Sequence, residues 1–206
     1  MNKIKIKRAL VSVSNKTDII DFVKKLLNFE VEILSTGGTA NLLQKEGLSV
    51  KLVSEFTGYP EILDGRVKTL HPLIHGALLA KRDNERHQEE IKRHELQLID
   101  LVVVNLYPFE EMISKGDPNL DEAIENIDIG GTTMIRSAAK NFNYVAVITD
   151  PNDYQKVTVE MQESNGELSL KTRFELAMKT FKHTSKYDLT ISNYLESLRP
   201  SWYLQK

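Results

Sequence analysis

The stretch ALVSVSNKT, residues 9–17, decides the fold because it joins a buried strand to a polar loop. Residues 9–13 are predominantly apolar, which is typical of a strand inside a parallel sheet. Apolar residues at helical spacing follow between Ile19 and Leu27. The stretch therefore predicts a strand, a loop and a helix in succession.

The same alternation continues along the chain. Further strands are predicted at residues 31–34, 50–53, 101–104 and 144–148, and a helix is predicted through residues 40–45. Alternating strands and helices, with loops after the strands, predict an α/β fold with a mainly parallel sheet and helices on both faces.

The C-terminal part has a different pattern. Apolar residues recur every three or four positions from about residue 168 to residue 198, which predicts one long helix or two joined helices. We expect residues 1–150 to form a phosphate-binding α/β domain, residues 151–199 a helical C-terminal appendage of the same unit, and residues 200–206 a tail. Two roles are open for the helix: packing on the domain or pairing two subunits.

Composition excludes several classes of function. The 206 residues have a formal net charge of -2, which provides no overall field to attract nucleic acid or an anionic membrane. The absence of cysteine excludes disulfides, thiolate nucleophiles and cysteine zinc sites. No apolar run is long enough for a membrane span, and residues 1–8 lack the apolar stretch of a secretory signal. We therefore expect a cytoplasmic protein.

Two loops have the chemistry of a phosphate site. Residues 14–17 (SNKT) offer hydroxyls, an ammonium and a helix N-terminus, and residues 35–39 (STGGT) offer hydroxyls beside adjacent glycines. The alternatives are simple N-capping by Ser14 and a purely structural turn at the glycines. Neither loop is a Walker or dinucleotide motif, so nucleoside triphosphates and NAD are not expected.

Two further stretches could carry chemistry. Residues 64–72 (DGRVKTLHP) place two cations, a hydroxyl and an imidazole in a loop that could wrap an anion or be a solvated basic loop. His71 and His75 have the spacing of a zinc pair, but no Glu lies between them and Pro72 should break the helix, so no metal site is expected. Asp128 precedes a glycine pair and a helix, and could be a helix cap or a positioned base.

Five motifs together, in their order and spacing, resemble the N-terminal inosine monophosphate (IMP) cyclohydrolase half of a family of bifunctional purine biosynthesis proteins that also carry an AICAR transformylase. The motifs are residues 12–17, 35–40, 65–72, 105–109 and 127–131. The resemblance covers about residues 6 to 199. It implies a methylglyoxal synthase-like three-layer fold, in agreement with the α/β pattern.

The resemblance also implies a reaction, in which 5-formamidoimidazole-4-carboxamide ribonucleotide (FAICAR) closes to IMP and water without a cofactor. It implies a homodimer, and a transformylase domain in the full-length family protein. Because that half is absent from this sequence, formyl transfer and folate use are not expected here. Asn15 stands where some relatives have Asp, and no effect on the activity is expected.

Particular residues receive roles through the resemblance. Lys68 would stabilise the oxyanion on the formyl oxygen, Asp128 would position or deprotonate the carboxamide, and Tyr107 and Lys140 would complete proton transfer. With a rise of 1.5 Å per residue, Gly131 and Lys140 would be about 13 Å apart, so a shared ligand must be extended or the helix must start late. The implied substrate-binding residues are Ser12, Ser14, Lys16, Thr17, Thr36, Gly37, Gly38, Thr39, Arg66, Val67, Thr69, Asn105, Leu106, Ile129, Gly130 and Gly131.

Two other functions are compatible with the fold. A methylglyoxal synthase acting on dihydroxyacetone phosphate would need a smaller site than the loops at residues 66–72 and 105–109 suggest. A non-catalytic nucleotide-sensing module would need the phosphate loops but not the four catalytic candidates together.

Overall fold

A five-stranded parallel sheet lies between layers of helices in the computed structural model, which describes residues 3–115 and 120–198. Its strand order is β4-β3-β2-β5-β6, and a separate antiparallel pair joins β1 to β7. The strands are β1 (Lys3–Lys5), β2 (Arg8–Val11), β3 (Glu32–Ser35), β4 (Lys51–Leu52), β5 (Leu101–Val103), β6 (Ala146–Ile148) and β7 (Glu167–Ser169).

Helices fill the connections between the strands. They are α1 (Ile19–Asn28), α2 (Gly37–Lys45), α3 (Val53–Thr57), α4 (Pro72–Leu79), α5 (Glu85–Arg93), α6 (Phe109–Lys115), α7 (Leu120–Glu125), α8 (Gly130–Lys140), α9 (Tyr154–Glu163) and α10 (Leu170–Leu198), with a 3₁₀ turn at Pro151–Asp153.

The central strand β2 pairs with a strand on each side and contributes side chains to both faces of the sheet. Ala9 is in register with Ile33 of β3 on one side and with Leu101 of β5 on the other. Because successive side chains on a strand point to opposite faces, Val11 packs with the α1 and α9 side and Leu10 with the α4 and α8 side. The predicted α/β fold, with helices on both faces of a parallel sheet, is confirmed.

Some local predictions need correction. Pro72 does not break the helix; it occupies the first turn of α4, where its missing N–H costs nothing, and His71 is the N-cap. The β1 and β7 pair was not predicted, nor was α5. No residue of α5 is buried, so its sequence lacks the apolar periodicity on which the prediction of helices relied.

The C-terminal pattern forms one helix of 29 residues, α10, which packs on α8 and β6. Of its two open roles, the structure shows packing on the domain. Phe174 and Phe181 belong to the predicted apolar stripe but are 46% and 41% exposed, while the neighbouring Leu176 and Thr180 are buried. The division at residue 150 stays a prediction, and the tail at 200–206 lies outside the described residues.

A buried arginine fixes the start of α10. Arg173 is fully buried, and its guanidinium donates hydrogen bonds to the carbonyl oxygens of Leu168, Phe142 and Asn143. These carbonyls belong to the segments before α10 and before β6. The side chain therefore ties the C-terminal helix to the edge of the parallel sheet.

We predict that Arg173→Met lowers the free energy of unfolding by about 3 kcal/mol, because buried carbonyls lose charged donors. Urea denaturation measures this change. Lys182→Met on the exposed part of the same helix is the control, and should stay within about 0.5 kcal/mol of the unsubstituted protein. An Arg173→Met protein as stable as this control would contradict the prediction.

Candidate active site

The carboxyl ends of β2, β3 and β5 bring three polar loops to one edge of the sheet. Residues 12–17 follow β2, Thr36 and the start of α2 follow β3, and residues 104–108 follow β5. Ligands of parallel α/β sheets bind at this edge, where loops and helix N-termini face outward. This topology brings the two predicted phosphate loops together.

Lys16 and Thr39 connect these two loops directly. The Lys16 ammonium donates to Thr39 Oγ1 at 2.8 Å and also to the Val13 carbonyl oxygen. The Val13 N–H donates to the same Thr39 hydroxyl at 3.1 Å. Burial lowers the pKa of Lys16. A cation is therefore held in a partly desolvated position, where an anion would compensate for its lost hydration.

The N-terminus of α2 lies beside this ammonium. Its N-cap, Thr36, makes no side-chain capping bond, and the Thr36 hydroxyl instead lies 2.9 Å from Ser12 Oγ. Gly37 has a φ of +46°, which favours glycine. The glycines thus begin a helix, so the interpretation as a simple turn is wrong. Amides at a helix N-terminus together with Lys16 have the chemistry of a phosphate site.

Ser14 has a different role from N-capping. Its hydroxyl lies 2.8 Å from both the Leu106 carbonyl oxygen and Asn105 Oδ1, and these two acceptors share its one proton. The same Asn105 oxygen accepts the N–H groups of Ser14 and Asn15. The N-cap of α1 is Asp18, so the alternative of capping by Ser14 is wrong. Asn105 therefore fixes the β2 loop against the β5 loop.

Lys68 approaches the α2 N-terminus from another loop. Its Nζ lies 3.8 Å from the position that a Cβ would take at Gly37 and 3.6 Å from the corresponding position at Gly65. Leu63, Asp64 and Gly65 all have positive φ, which turns the chain sharply before Lys68. The exposed Arg66 forms an ion pair of 3.3 Å with Glu125.

Two glycines bring Asp128 and Thr69 against the start of α8. The Gly131 N–H donates to Asp128 Oδ1 at 2.7 Å, and a Cβ at Gly131 would lie 2.5 Å from Asp128 Oδ2. A Cβ at Gly130 would lie 2.7 Å from Thr69 Oγ1. Close approach, and not positive φ, therefore requires both glycines. The Asp128 carboxyl group therefore accepts an amide N–H at the start of α8 and is at the same time part of the site.

The environment of Asp128 favours proton transfer. Burial raises the pKa of its carboxyl group, and this effect outweighs the lowering by the amides of Gly131 and Tyr107 and by the charge of Lys68. A carboxylate whose pKa is raised binds a proton more readily at neutral pH, as a general base must. Asp128 thus lies near both Tyr107 and Lys68.

Lys140 is apart from this group. It is exposed at the last residue of α8, and the ten steps from Gly130 correspond to about 15 Å along the axis. The structure brings Lys68 and the backbone amide of Tyr107 close to Asp128, but not Lys140. Proton transfer by Lys140 stays a prediction.

The remaining predicted residues lie at the edges of the site. Thr17 is exposed and donates its N–H to Asn15 Oδ1. Gly38 has open space around it, and Val67 is paired with Ile62 through the backbone. Ile129 is exposed beside the glycine pair. Contact of these residues with a substrate stays a prediction.

The two histidines with zinc-like spacing have other partners. His71 Nδ1 accepts the Leu73 N–H at 3.2 Å, and His75 Nδ1 lies 3.1 Å from Ser137 Oγ. Within residues 3–115 and 120–198, no group of three or more His, Asp or Glu side chains could hold a metal ion.

Sequence reasoning missed Tyr187. Its hydroxyl accepts the Asp128 N–H at 2.8 Å, although the two residues are 59 positions apart. Tyr187 also lines a cavity of about 660 Å³ between α10 and residues 105–109. Its helical spacing indicated only a packing position, and no local motif points to a contact across such a separation.

We predict that Asp128→Asn makes the folded protein more stable at pH 7, by more than the 0.5 kcal/mol typical of a neutral substitution. The raised pKa means that folding favours the protonated carboxyl, so wild-type stability falls as pH rises from the ordinary Asp value through the raised one. The gain should disappear below pH 3.8, where both side chains are uncharged. Urea denaturation at several pH values measures it, and a loss of stability at pH 7 would contradict the prediction.

The chain is similar in sequence to known protein families over most of its length. Residues 18–133 match the family model "MGS-like domain", and residues 138–205 match "AICARFT/IMPCHase bienzyme". The chain is 61% identical over 189 residues to the bifunctional purine biosynthesis protein PurH of Bacillus cytotoxicus, and 60% identical to that of Bacillus mycoides. These alignments cover 92% of this chain but only 37% of each relative. The chain thus spans little more than a third of the length of the curated relatives that it matches.

A solved structure agrees over nearly the whole fold. The crystal structure of ForH superposes with a TM-score of 0.78 at 33% sequence identity. The match covers 91% of this chain and 97% of that one. The parallel sheet and its helices are therefore shared with a protein of similar length.

Proposed function

The chain belongs to the MGS-like domain family, and from that premise we propose that it is an IMP cyclohydrolase that converts FAICAR to IMP and water. One observation carries the proposal: Lys68 and Asp128 lie close together where polar loops and the α2 N-terminus meet at the carboxyl edge of the sheet. The PurH relatives support it, since they carry the name of a purine biosynthesis protein.

The geometry suggests how the substrate would lie. Its phosphate would be held by Lys16, Thr39 and the first amides of α2, and the Lys16 ammonium already donates a hydrogen bond to Thr39. The imidazole and its two arms would extend toward Lys68 and Asp128. Such placement would hold the carboxamide nitrogen close to the formyl carbon, which accelerates an intramolecular reaction.

The chemistry moves two protons from nitrogen to oxygen and involves no redox change. The carboxamide nitrogen attacks the formyl carbon, the C–N bond forms, and the carbonyl π electrons move to the oxygen. Asp128 accepts the proton from the attacking nitrogen while the Lys68 ammonium stabilises the oxyanion. The oxygen is then protonated to a hydroxyl, with Tyr107 as the proposed donor. A second proton, the one that Asp128 accepted, converts the hydroxyl to water, which leaves as the C=N bond forms. The formamide nitrogen then loses its proton to the Tyr107 oxygen, which restores both side chains.

The direct experiment adds FAICAR to the purified, folded protein without folate and follows IMP formation spectroscopically. We expect turnover, and no methylglyoxal from dihydroxyacetone phosphate under the same conditions. Absence of IMP formation with protein shown to be folded would overturn the proposal. Methylglyoxal formation in its place would assign the chain to the other enzyme class compatible with the fold.

Lys68→Ala should lower kcat about 10²- to 10³-fold, because the developing oxyanion loses its charged partner. Lys24→Ala is the matched control, since Lys24 is an exposed lysine of α1 paired only with the nearby Asp21 among the described residues. Steady-state kinetics with FAICAR measure both variants. Near-normal turnover of Lys68→Ala would remove Lys68 from the mechanism.

Several broader predictions remain proposals. Phe174, Met178 and Phe181 are exposed on one face of α10, which supports a homodimer and can be tested by sedimentation velocity. A transformylase domain in the full-length protein is supported by the word "bifunctional" in the relatives' name.

Among the described residues, no helix is both long and apolar enough to span a membrane. A cytoplasmic location, and the absence of nucleic-acid and membrane partners, stay predictions.

A further inference from the structure

Tyr187 reaches the candidate site from outside its loops. It lies on α10 and is only 8% exposed, and its hydroxyl accepts the Asp128 N–H at 2.8 Å. Its ring meets the Phe109 ring edge-on, with centroids 6.4 Å apart and planes at 73°. One side chain therefore contacts the segments that carry Asp128 and Tyr107.

Apart from the contact of its carboxyl group with the Tyr107 amide, the other hydrogen bonds of Asp128 are local. Its Oδ1 accepts the Gly131 N–H, and its carbonyl oxygen accepts the Thr132 hydroxyl at 2.7 Å. Both partners lie in the first turns of α8, so these bonds would move with the segment. The bond to Tyr187 is different because it fixes the Asp128 peptide to another helix.

Phe109 is also held by α10, in this case through ring contacts. It is buried, and its N–H donates to the Tyr107 carbonyl oxygen at 2.8 Å. Its ring contacts the Tyr194 ring, with centroids 5.6 Å apart, as well as that of Tyr187. Two aromatic residues of α10, Tyr187 and Tyr194, lie about two helical turns apart and together hold the end of the loop that carries Tyr107.

We propose that Tyr187 is a positioning residue: its hydroxyl fixes the Asp128 peptide and its ring fixes Phe109, so that α10 sets the separation of Asp128 and Tyr107. The consequence for catalysis rests on the proposed cyclohydrolase function. An amide left without its acceptor in a half-buried segment seeks another partner, and the segment shifts. Small displacements of reacting groups slow an intramolecular reaction strongly.

The test compares Tyr187→Phe with Tyr154→Phe. The first substitution keeps the ring against Phe109 and removes only the acceptor of the Asp128 N–H. The second removes another buried tyrosine hydroxyl, one that has no hydrogen-bond partner among the described residues. NMR-detected hydrogen exchange reads protection of the Asp128 amide, and steady-state kinetics with FAICAR give kcat and KM.

For Tyr187→Phe we expect the Asp128 amide to exchange at least tenfold faster and kcat to fall about ten- to a hundredfold. KM should stay within about twofold, because the phosphate loops keep their contacts. Tyr154→Phe should change neither quantity.

Unchanged kcat in Tyr187→Phe would overturn the positioning role. An equal loss of kcat in Tyr154→Phe would also overturn it, because the loss would then follow from the removal of any buried tyrosine hydroxyl. If the unsubstituted protein does not form IMP, the proposed function fails. Hydrogen exchange then still tests the bond between the Tyr187 hydroxyl and the Asp128 N–H. A tenfold faster exchange of the Asp128 amide in Tyr187→Phe supports this bond, and an unchanged exchange rate overturns it.

Discussion

The bond between the Gly131 N–H and the Asp128 carboxylate is the interaction on which the site depends. It spans 2.7 Å and is possible only because position 131 has no Cβ. The adjacent Gly130 lets Thr69 approach in the same way, so the glycine pair joins α8 to the loop that carries Lys68. A side chain at either glycine would separate the groups that the proposed reaction needs together.

The site is assembled at a cost to folding. Burial lowers the pKa of Lys16 and raises that of Asp128, so folding disfavours the charged form of both groups. The rest of the fold offsets this cost through the apolar clusters on the two faces of the sheet and through Arg173. Such a loss of folding stability is common at active sites, where residues are selected for activity and not for stability.

The fold could be predicted from the sequence because buried parallel strands have a strong signal. Residues 9–13, 101–104 and 144–148 each predicted a strand that the structure contains, although each strand is shorter. The exposed helix α5 had no such signal, since none of its residues is buried. The antiparallel pair β1 and β7 joins segments more than 160 residues apart, and no local pattern records that contact.

The candidate site was predictable to a similar extent. Motif resemblance pointed to Lys68, Tyr107, Asp128 and Lys140. The structure brings Lys68 and the Tyr107 backbone close to Asp128, but it places Lys140 at the far end of α8. Ser14 was expected to cap α1 or hold a phosphate, but its hydroxyl binds the Asn105 loop. Tyr187 was seen only as a packing residue, because its contact with Asp128 depends on how α10 crosses α8.

The pH dependence of kcat/KM for FAICAR cyclisation tests the central claim most directly, since kcat/KM reports groups that titrate in the protein without substrate. If Asp128 is the base, kcat/KM should fall on the acid side through a pKa above the ordinary Asp value of 3.8. This acid limb should be missing from the residual activity of Asp128→Asn. An acid limb that persists unchanged in Asp128→Asn would contradict the account.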